Sequence, residues 1–274
     1  MSEKKNSIGF IGAGNMATAL ISGLIKNGYN KSQIFASSPE EEHLERLKRA
    51  FSVNVTKKNK EVIDSAQTIV LAVKPNVINN VFKQSAYSIQ KNNNLLISIV
   101  AGLTINSLET EVGKETKIIR AMPNTPASIG MSVTALTNNN LVNQEDKAIA
   151  DNIFNSVGIS CWLKEKSFDL YTALIGSGPA YVFYFIESLY KSAKNLGTED
   201  ELSKNLIIEM IKGSVALAEG SKDNLSVLRK KVTSPGGVTE KALQVLNNNQ
   251  VDRTIVQAIL EGENRSKDLG KENE

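Results

Sequence analysis

The chain has 274 residues, of which 41% are hydrophobic, 22% charged and 5% aromatic, and its formal net charge is +3. This composition is ordinary for a globular protein, and the length allows one or two domains with a substantial core. The small net charge, on scattered basic residues, argues against a nucleic-acid surface, and the single Cys161 excludes a disulfide framework or a cysteine metal cluster.

The chain carries no signal for a membrane or for export. The longest apolar stretch, "LLISIVAGLTI", is too short to span a bilayer and contains Ser98, Gly102 and Thr104. The opening "MSEKKNS" leads directly into a strand-like run instead of the apolar segment of a signal peptide. We therefore expect a soluble cytoplasmic protein without a membrane partner.

Apolar runs alternate with amphipathic runs through the first half of the chain. The patterns predict strands over 7–12, 33–38, 53–56, 68–73, 94–101 and 116–122, and helices over 15–28, 40–51, 60–66, 77–90 and 105–112. Continuous apolar runs such as Ile69–Val73 are typical of strands buried on both faces. The sequence therefore predicts an α/β fold with an N-terminal Rossmann-type parallel sheet and helices on both sides.

The junction between the first strand and the first helix reads "GAGNMA". Gly12, Gly14 and Ala17 match the G-x-G-x-x-G/A spacing of dinucleotide-binding turns. In such turns the first glycine permits the sharp bend, the second lets a pyrophosphate approach the helix N-terminus, and the third position allows close helix packing. We predict a dinucleotide site here, and a purely structural turn is the alternative.

The end of the second strand bears on which nicotinamide cofactor binds. NAD sites place an acidic residue there for the ribose 2′-hydroxyl, whereas this chain has Ser37 and Ser38. Small hydroxyl residues leave room for a 2′-phosphate, so the pattern favours NADPH. NADH stays possible, because Glu40–Glu42 follow closely and no arginine lies in this loop.

Two further strands end in loops that contain proline. These loops are "AVKPN" (72–76) and "AMPNTPA" (121–127). Ligands of parallel α/β sheets gather at the carboxyl ends of strands, so we expect Ala72 and Asn124 to lie at the cofactor. Rigid turns without a ligand are the alternative.

The second half of the chain reads as helices. Helical patterns cover 177–197, 201–221, 239–248 and 251–270. We predict a dinucleotide-binding domain over 1–163 and an all-helical domain over 164–274. Apolar residues run in succession from Tyr181 to Ile186, more than so small a domain can bury alone, which indicates a partner subunit.

The stretch "VTSPGGVTEKAL" (232–243) precedes one of these helices. Because the first N–H groups of a helix lack internal partners and carry partial positive charge, glycines there expose donors to an anion. Ser234, Gly236 and Gly237 would form a small carboxylate or phosphate site, with the Thr239 hydroxyl at its edge. A Ser/Thr cap after a Pro-Gly turn is the structural alternative.

The chain resembles the pyrroline-5-carboxylate reductases over nearly its whole length. The segments that carry the resemblance are "GFIGAGNMA", "AVKPN", "RAMPNTPA", "ALIGSGPAYVF" and "LRKKVTSPGGVTEKALQVLNN". The resemblance implies reduction of the C=N bond of 1-pyrroline-5-carboxylate by NAD(P)H, giving L-proline. A protonated cyclic imine is already electrophilic, so this reaction suits a chain whose one histidine, His43, lies on a charged helix.

The resemblance also implies roles for individual residues. Thr239 would hydrogen-bond the ring nitrogen, the N–H groups around Gly237 would hold the carboxylate, and Glu165 would line the substrate pocket. The positions that match cofactor contacts of the family are Ala13, Asn15, Met16, Ser38, Asn59, Val73, Lys74 and Ala101. The family forms an interlocked homodimer through the helical domain, and its dimers often assemble further. No metal site is implied.

Two positions depart from the family pattern. Val238 stands where many members have a second threonine, and it is itself part of the expected substrate site. Thr239 is therefore the one residue with a hydroxyl directly after the glycines. Lys231 stands where some relatives have an asparagine that touches ligands, so contacts on that side stay open.

Three other functions are compatible with a nucleotide-binding sheet followed by helices. A β-hydroxyacid dehydrogenase would use a lysine on the first long helix of its second domain, but the run Ser167–Tyr190 contains no lysine. A reductase of another cyclic imine carboxylate would need the same site. A non-catalytic NADP-binding regulator would bind NADPH without turnover.

Overall fold

The computed structural model describes residues 6–195, 197 and 200–272, and within them eight strands form one sheet. The strands are β1 (Ile8–Ile11), β2 (Ile34–Ser37), β3 (Asn54–Thr56), β4 (Thr68–Leu71), β5 (Leu95–Ser98), β6 (Ile118–Met122), β7 (Ser132–Asn138) and β8 (Gly158–Trp162). Their order across the sheet is β3-β2-β1-β4-β5-β6-β7-β8. This order places the ends of β2, β1 and β4 side by side.

Helices connect the strands and then continue alone. The helices up to residue 177 are α1 (Asn15–Lys26), α2 (Glu41–Phe51), α3 (Asn59–Ser65), α4 (Ile78–Lys91), α5 (Ile105–Val112), α6 (Gln144–Asn155) and α7 (Phe168–Tyr171). A single turn of π-helix, Thr172–Gly176, follows α7. The later helices are α8 (Gly178–Asn195), α9 (Asp200–Gly220), α10 (Leu225–Lys231), α11 (Val238–Asn248) and α12 (Val251–Glu272).

Six of the seven strand pairs are parallel, which confirms the predicted sheet in its main part. The exception is β6 and β7, which are antiparallel. Only residues 123–131 connect these two strands, and they hold a short 3₁₀ turn, Thr125–Ile129. A parallel connection needs a crossover of a dozen residues or more, so this short link forces the chain to turn back.

Alternate residues of the central strands enter two separate cores. Phe10, Val70 and Ile97 belong to the core beneath α1 and α6. Ile11 and Leu71 belong to the core beneath α3, α4 and α5. Both faces of the sheet are therefore covered by helices, which explains why β4 reads as an unbroken apolar run.

The described chain separates into two compact units. The sheet unit runs up to Ser177 and includes the chain from Glu261 onwards, and the helical unit is Gly178–Leu260. Thus Glu165–Ser177 packs with the sheet, where Phe168 and Ala173 are buried. The assignment of functions to 1–163 and 164–274 stays a prediction. None of the helices in the described ranges combines the length and the apolarity that crossing a bilayer requires.

Candidate active site

The glycine-rich turn after β1 leaves open space at the start of α1. Gly12 has a φ of +104°, and a Cβ there would lie 2.5 Å from the carbonyl oxygen of Ala72. Gly14 precedes the first residue of α1, and a Cβ there would have no atom within 4 Å. Gly12 is thus demanded by the fold, whereas Gly14 leaves a cradle in which a pyrophosphate can approach the helix N-terminus. The residues present therefore fit a bound dinucleotide.

The other residues of this turn present different groups. Ala13 is buried, so its backbone is the part that can reach a ligand. Asn15 is exposed, and Met16 is half-buried against the core beneath α1. Ala17 is fully buried and brings α1 close to the sheet, as the motif predicts.

Both serines at the end of β2 are hydrogen-bonded within the protein. The Ser37 hydroxyl donates to Oδ1 of Asn59 at 2.8 Å, and the Ser38 hydroxyl donates to Oε2 of Glu40 at 2.6 Å. The Ser38 hydrogen bond is the main cause that lowers the pKa of the Glu40 carboxyl. Ser37 and Ser38 are buried, so their hydroxyl protons are already committed.

One arginine from α2 reaches the glycine-rich turn. Nη2 of Arg46 lies 3.1 Å from the carbonyl oxygen of Ala13 and 3.3 Å from the hydroxyl of Thr18. Thr18 in turn donates to the carbonyl of Gly14 at 2.9 Å. Sequence reasoning missed Arg46, because it searched for an arginine in the loop and not on the helix that packs beside it.

The loops after β4 and β5 lie at the same edge of the sheet as the turn. The N–H of Ala72 donates to the carbonyl of Ile11 at 2.8 Å, which ties the two strand ends together. Val73 is half-buried and Lys74 is exposed immediately after it. Ala101, half-buried, follows β5. These four expected cofactor positions therefore lie at the edge of the parallel sheet that also carries the glycine-rich turn.

Asn124, at the end of β6, serves mainly the fold. Its Oδ1 accepts from the N–H of Val133 at 3.0 Å and from the hydroxyl of Ser132 at 3.1 Å. Its Nδ2 donates to the carbonyl of Ile175 in the π-helical turn at 3.2 Å. The side chain is buried and links β6, β7 and that turn, and a contact with cofactor stays a prediction.

Glu165 is held by two donors of the sheet unit. Its Oε1 accepts from the N–H of Ile105, the first residue of α5, at 2.7 Å and from Nη1 of Arg120 at 3.3 Å. The Glu165 side chain stays 37% exposed, whereas the Arg120 side chain is only 4% exposed. Glu165 is thus fixed in orientation while it keeps access to solvent.

Arg120 is the centre of a wider network. Nη2 lies 3.7 Å from a carboxylate oxygen of Asp169, and the guanidinium carbon lies 4.3 Å from the ring centre of Phe168. Asp169 also accepts from the hydroxyl of Ser266 on α12 at 2.8 Å. Burial lowers the pKa of the Arg120 guanidinium, and the carboxylates of Glu165 and Asp169 raise it. The group stays charged, because arginine is not deprotonated in proteins.

Residues 232–237 form a turn that leads into α11, as predicted. Gly237 is the residue before the helix, and Gly236 has a φ of +73°. The N–H of Gly236 donates to Oε2 of Glu240 at 2.8 Å, and the N–H of Gly237 donates to the carbonyl of Ser234 at 3.0 Å. The glycine amides are therefore occupied.

Free donors lie one step further along the helix. Within the described residues, the N–H groups of Val238, Thr239 and Glu240 have no hydrogen-bond acceptor. Val238 is 90% exposed, and Thr239 is exposed beside it. Three aligned amides with a neighbouring hydroxyl form a site suited to a small anion.

The expected site residues are distributed over both units. The cofactor positions and Glu165 lie in the sheet unit, and Ser234–Thr239 lie in the helical unit. Sequence reasoning missed Arg46 and Arg120. The one signal for Arg120 was a charged residue inside an otherwise apolar strand, β6.

Comparisons with known proteins converge on one family. Residues 165–269 match the model described as pyrroline-5-carboxylate reductase dimerisation, and residues 7–102 match NADP oxidoreductase coenzyme F420-dependent. Pyrroline-5-carboxylate reductase 2 of Bacillus subtilis (strain 168) is 34% identical over 269 residues, which cover 96% of this chain and 94% of that protein. The Escherichia coli (strain K12) pyrroline-5-carboxylate reductase is 34% identical and covers 98% of this chain and 99% of its own length.

A solved structure agrees in fold as well as in sequence. The crystal structure of Plasmodium falciparum pyrroline carboxylate reductase with NADP bound superposes with a TM-score of 0.88 at 36% identity. The match covers 98% of this chain and 100% of that chain.

Proposed function

The chain belongs to the pyrroline-5-carboxylate reductase family, and we propose that it reduces the C=N bond of 1-pyrroline-5-carboxylate with NADPH to give L-proline. The observation that carries this proposal is similarity over almost the whole chain, not over one domain alone. Each unit carries one feature that the reaction needs: the sheet unit has the cradle at Gly14, and the helical unit has the free amides in the first turn of α11.

NADPH supplies the hydride when it is bound. The protein must bind and orient the two reactants, because a protonated cyclic imine is already electrophilic. Gly14, Asn15 and Met16 would hold the cofactor at the start of α1, and Ser37, Ser38 and Asn59 would hold it at the end of β2. Ala13, Ala72, Val73, Lys74, Ala101 and Asn124 complete the proposed cofactor positions along the sheet edge.

The turn before α11 binds the substrate. The free N–H groups of Val238, Thr239 and Glu240 hold the carboxylate, since a helix N-terminus favours negative charge. The Thr239 hydroxyl hydrogen-bonds the ring nitrogen as that atom changes from imine to amine. Ser234, Gly236 and Gly237 shape the turn, and Glu165, in the sheet unit, is a further proposed substrate contact.

Replacing Thr239 by alanine is expected to lower kcat about tenfold, because one hydrogen bond to a charged group contributes about 1.5 kcal/mol. The dissociation constant for NADPH should stay close to that of the parent. Initial rates of NADPH oxidation and cofactor fluorescence titration measure the two quantities. Thr233→Ala is the matched control, because the Thr233 hydroxyl already donates to the carbonyl of Arg229 at 2.6 Å. An unchanged kcat in Thr239→Ala would remove this residue from the mechanism.

The protein is a homodimer that assembles through its helical region. Considered alone, the helical unit exposes large apolar side chains along α8 and α9: Val182 is 50% exposed, Phe183 65%, Phe185 56% and Leu206 60%. Exposed apolar surface of this kind is typical of subunit interfaces. We assign substrate binding and dimerisation to residues 164–274, nucleotide binding to 1–163, and the whole protein to the cytoplasm, where a single free cysteine needs no oxidising partner.

Replacing Phe183 by glutamate is expected to convert the dimer into monomers at micromolar concentration. Twofold symmetry places the new charge in the interface twice, and an unpaired charge is costly to bury. Size-exclusion chromatography with light scattering measures the mass. Asn195→Glu, in the polar last turn of the same helix, is the control and should stay dimeric. A dimeric Phe183→Glu variant would place the interface elsewhere.

A further inference from the structure

We propose that Arg46 binds the 2′-phosphate of NADPH and thereby sets the preference for NADPH over NADH. This inference rests on the proposed function only in that the cofactor is a nicotinamide dinucleotide. It adds a residue outside the glycine-rich turn and outside the loop after β2.

The Arg46 guanidinium lies at the corner where the ribose of a bound dinucleotide is expected. In Rossmann folds the ribose 2′ position faces the end of the second strand. Here the N–H of Gly12 donates to the carbonyl of Ser37 at 2.9 Å, so the glycine-rich turn and the end of β2 are in direct contact. Arg46 binds the carbonyl of Ala13, one residue beyond that contact.

The serines at the end of β2 cannot recognise the phosphate by themselves. The Ser37 hydroxyl donates a hydrogen bond to Asn59, and the Ser38 hydroxyl donates one to Glu40. Both serine side chains are buried. A 2′-phosphate brings negative charge next to the Glu40 carboxylate, so its binding requires a cation in addition to hydroxyl groups.

Arg46 is a cation with unused donors beside the glycine-rich turn. Lys57 forms an ion pair with Glu41, and Lys58 forms one with Glu61 at 3.0 Å. Arg46 forms no ion pair within the part of the chain that the structure describes. Both of its hydrogen bonds use Nη2, so three of the five N–H donors of its guanidinium stay unused.

Arginine suits a phosphate better than lysine at such a place. Its Nε–H and Nη1–H groups can each donate a charge-assisted hydrogen bond to a phosphate oxygen while Nη2 keeps its contacts to the turn. The contacts with Ala13 and Thr18 hold the group in position before the cofactor binds, which reduces the entropy lost on binding.

A purely structural role makes a different prediction. If Arg46 served only to hold α2 against the glycine-rich turn, its removal would lower the binding affinity of every nucleotide that uses this turn to the same degree. If Arg46 binds the phosphate, its removal lowers the binding affinity only of ligands that carry a 2′-phosphate. The distinction requires two ligands that differ in that single group.

The test measures binding of adenosine 2′,5′-bisphosphate and of 5′-AMP to the full-length dimer by titration calorimetry. Arg46→Ala is expected to raise the dissociation constant of the bisphosphate roughly tenfold or more, since a charge-assisted hydrogen bond is lost. The constant for 5′-AMP should change by less than about twofold. Arg46→Lys should fall between, because it keeps the charge and loses the contacts of the guanidinium to the turn, which hold the cation in position.

Arg49→Ala is the matched control, since Arg49 lies on the same helix, is 79% exposed and pairs with Glu45. It should leave both constants unchanged. If Arg46→Ala raised the dissociation constants of both ligands by the same factor, or raised neither, the proposal would be overturned. Because the titrations use no pyrroline-5-carboxylate, a failure of the proposed reaction would leave this result intact. The same comparison with NADPH and NADH then extends it to the whole cofactor.

Discussion

Replacing Gly12 by alanine is expected to lower the free energy of unfolding by about 3 kcal/mol, through backbone strain and overpacking. The φ of +104° is one that residues with a Cβ rarely adopt. The new Cβ would also lie 2.5 Å from the carbonyl oxygen of Ala72, and this neighbour is backbone at the end of β4, which cannot turn aside as a side chain can. Relief therefore requires moving β1 away from β4. Urea unfolding monitored by circular dichroism measures the loss.

Gly14→Ala is the matched variant, and we expect it to impair cofactor binding while it leaves the stability of the fold nearly unchanged. No atom lies within 4 Å of a Cβ at Gly14, so the free energy of unfolding should fall by less than about 1 kcal/mol, the usual cost of alanine at a helix N-cap. The methyl group would instead occupy the space through which the pyrophosphate approaches. NADPH affinity should fall in both variants, whereas the free energy of unfolding should fall substantially only in Gly12→Ala. Equal destabilisation of the two would show that the open space at Gly14 is not there.

The sequence predicts the sheet unit well wherever periodicity is strong. Every strand and helix expected between residues 7 and 122 is found within a few residues of its expected bounds. These segments bury one helical face, or both faces of a strand, so the spacing of apolar residues reflects their contacts directly. The same reasoning places α8, α9 and α12 correctly, and it starts α11 at Thr239, one residue after the observed start at Val238.

The patterns assign no element to residues 123–176 and none to 225–231, where the structure has β7, α6, β8, α7 and α10. The β7 strand pairs antiparallel with β6, and this pairing depends on the length of the connecting loop more than on the strand's own residues. The α10 helix has seven residues with three basic ones in its last turn, so it offers too little apolar periodicity to detect.

Site geometry is less accessible from sequence than fold, because it depends on contacts between distant segments. Arg46 lies 33 residues from Ala13 and meets it only because α2 packs beside the turn after β1. The glycine amides at 236 and 237 were expected to be free, yet Glu240 and Ser234 accept their hydrogen bonds. Residue types at 234–239 indicate an anion site, while the particular amides that serve it follow from the turn's conformation.

Replacing Arg120 by methionine is expected to lower the free energy of unfolding by about 3 kcal/mol, the low end of the cost of breaking a buried ion pair. Methionine keeps the bulk of the side chain but leaves Glu165 and Asp169 without their shared cation. It also removes the guanidinium from the Phe168 ring. The low end applies because both carboxylates stay partly exposed and can recover some hydration.

Arg265→Met is the control for this prediction. Arg265 pairs with Glu272 at 2.6 Å on the surface, with both side chains more than half exposed, and its loss should cost less than about 1 kcal/mol. A double-mutant cycle with Glu165→Gln then isolates the Arg120–Glu165 pair, and coupling of about 1 kcal/mol or more is expected for residues in one network. Coupling near zero would mean that the N–H of Ile105 alone holds Glu165, and that Arg120 stabilises α7 and α12 through Asp169 instead.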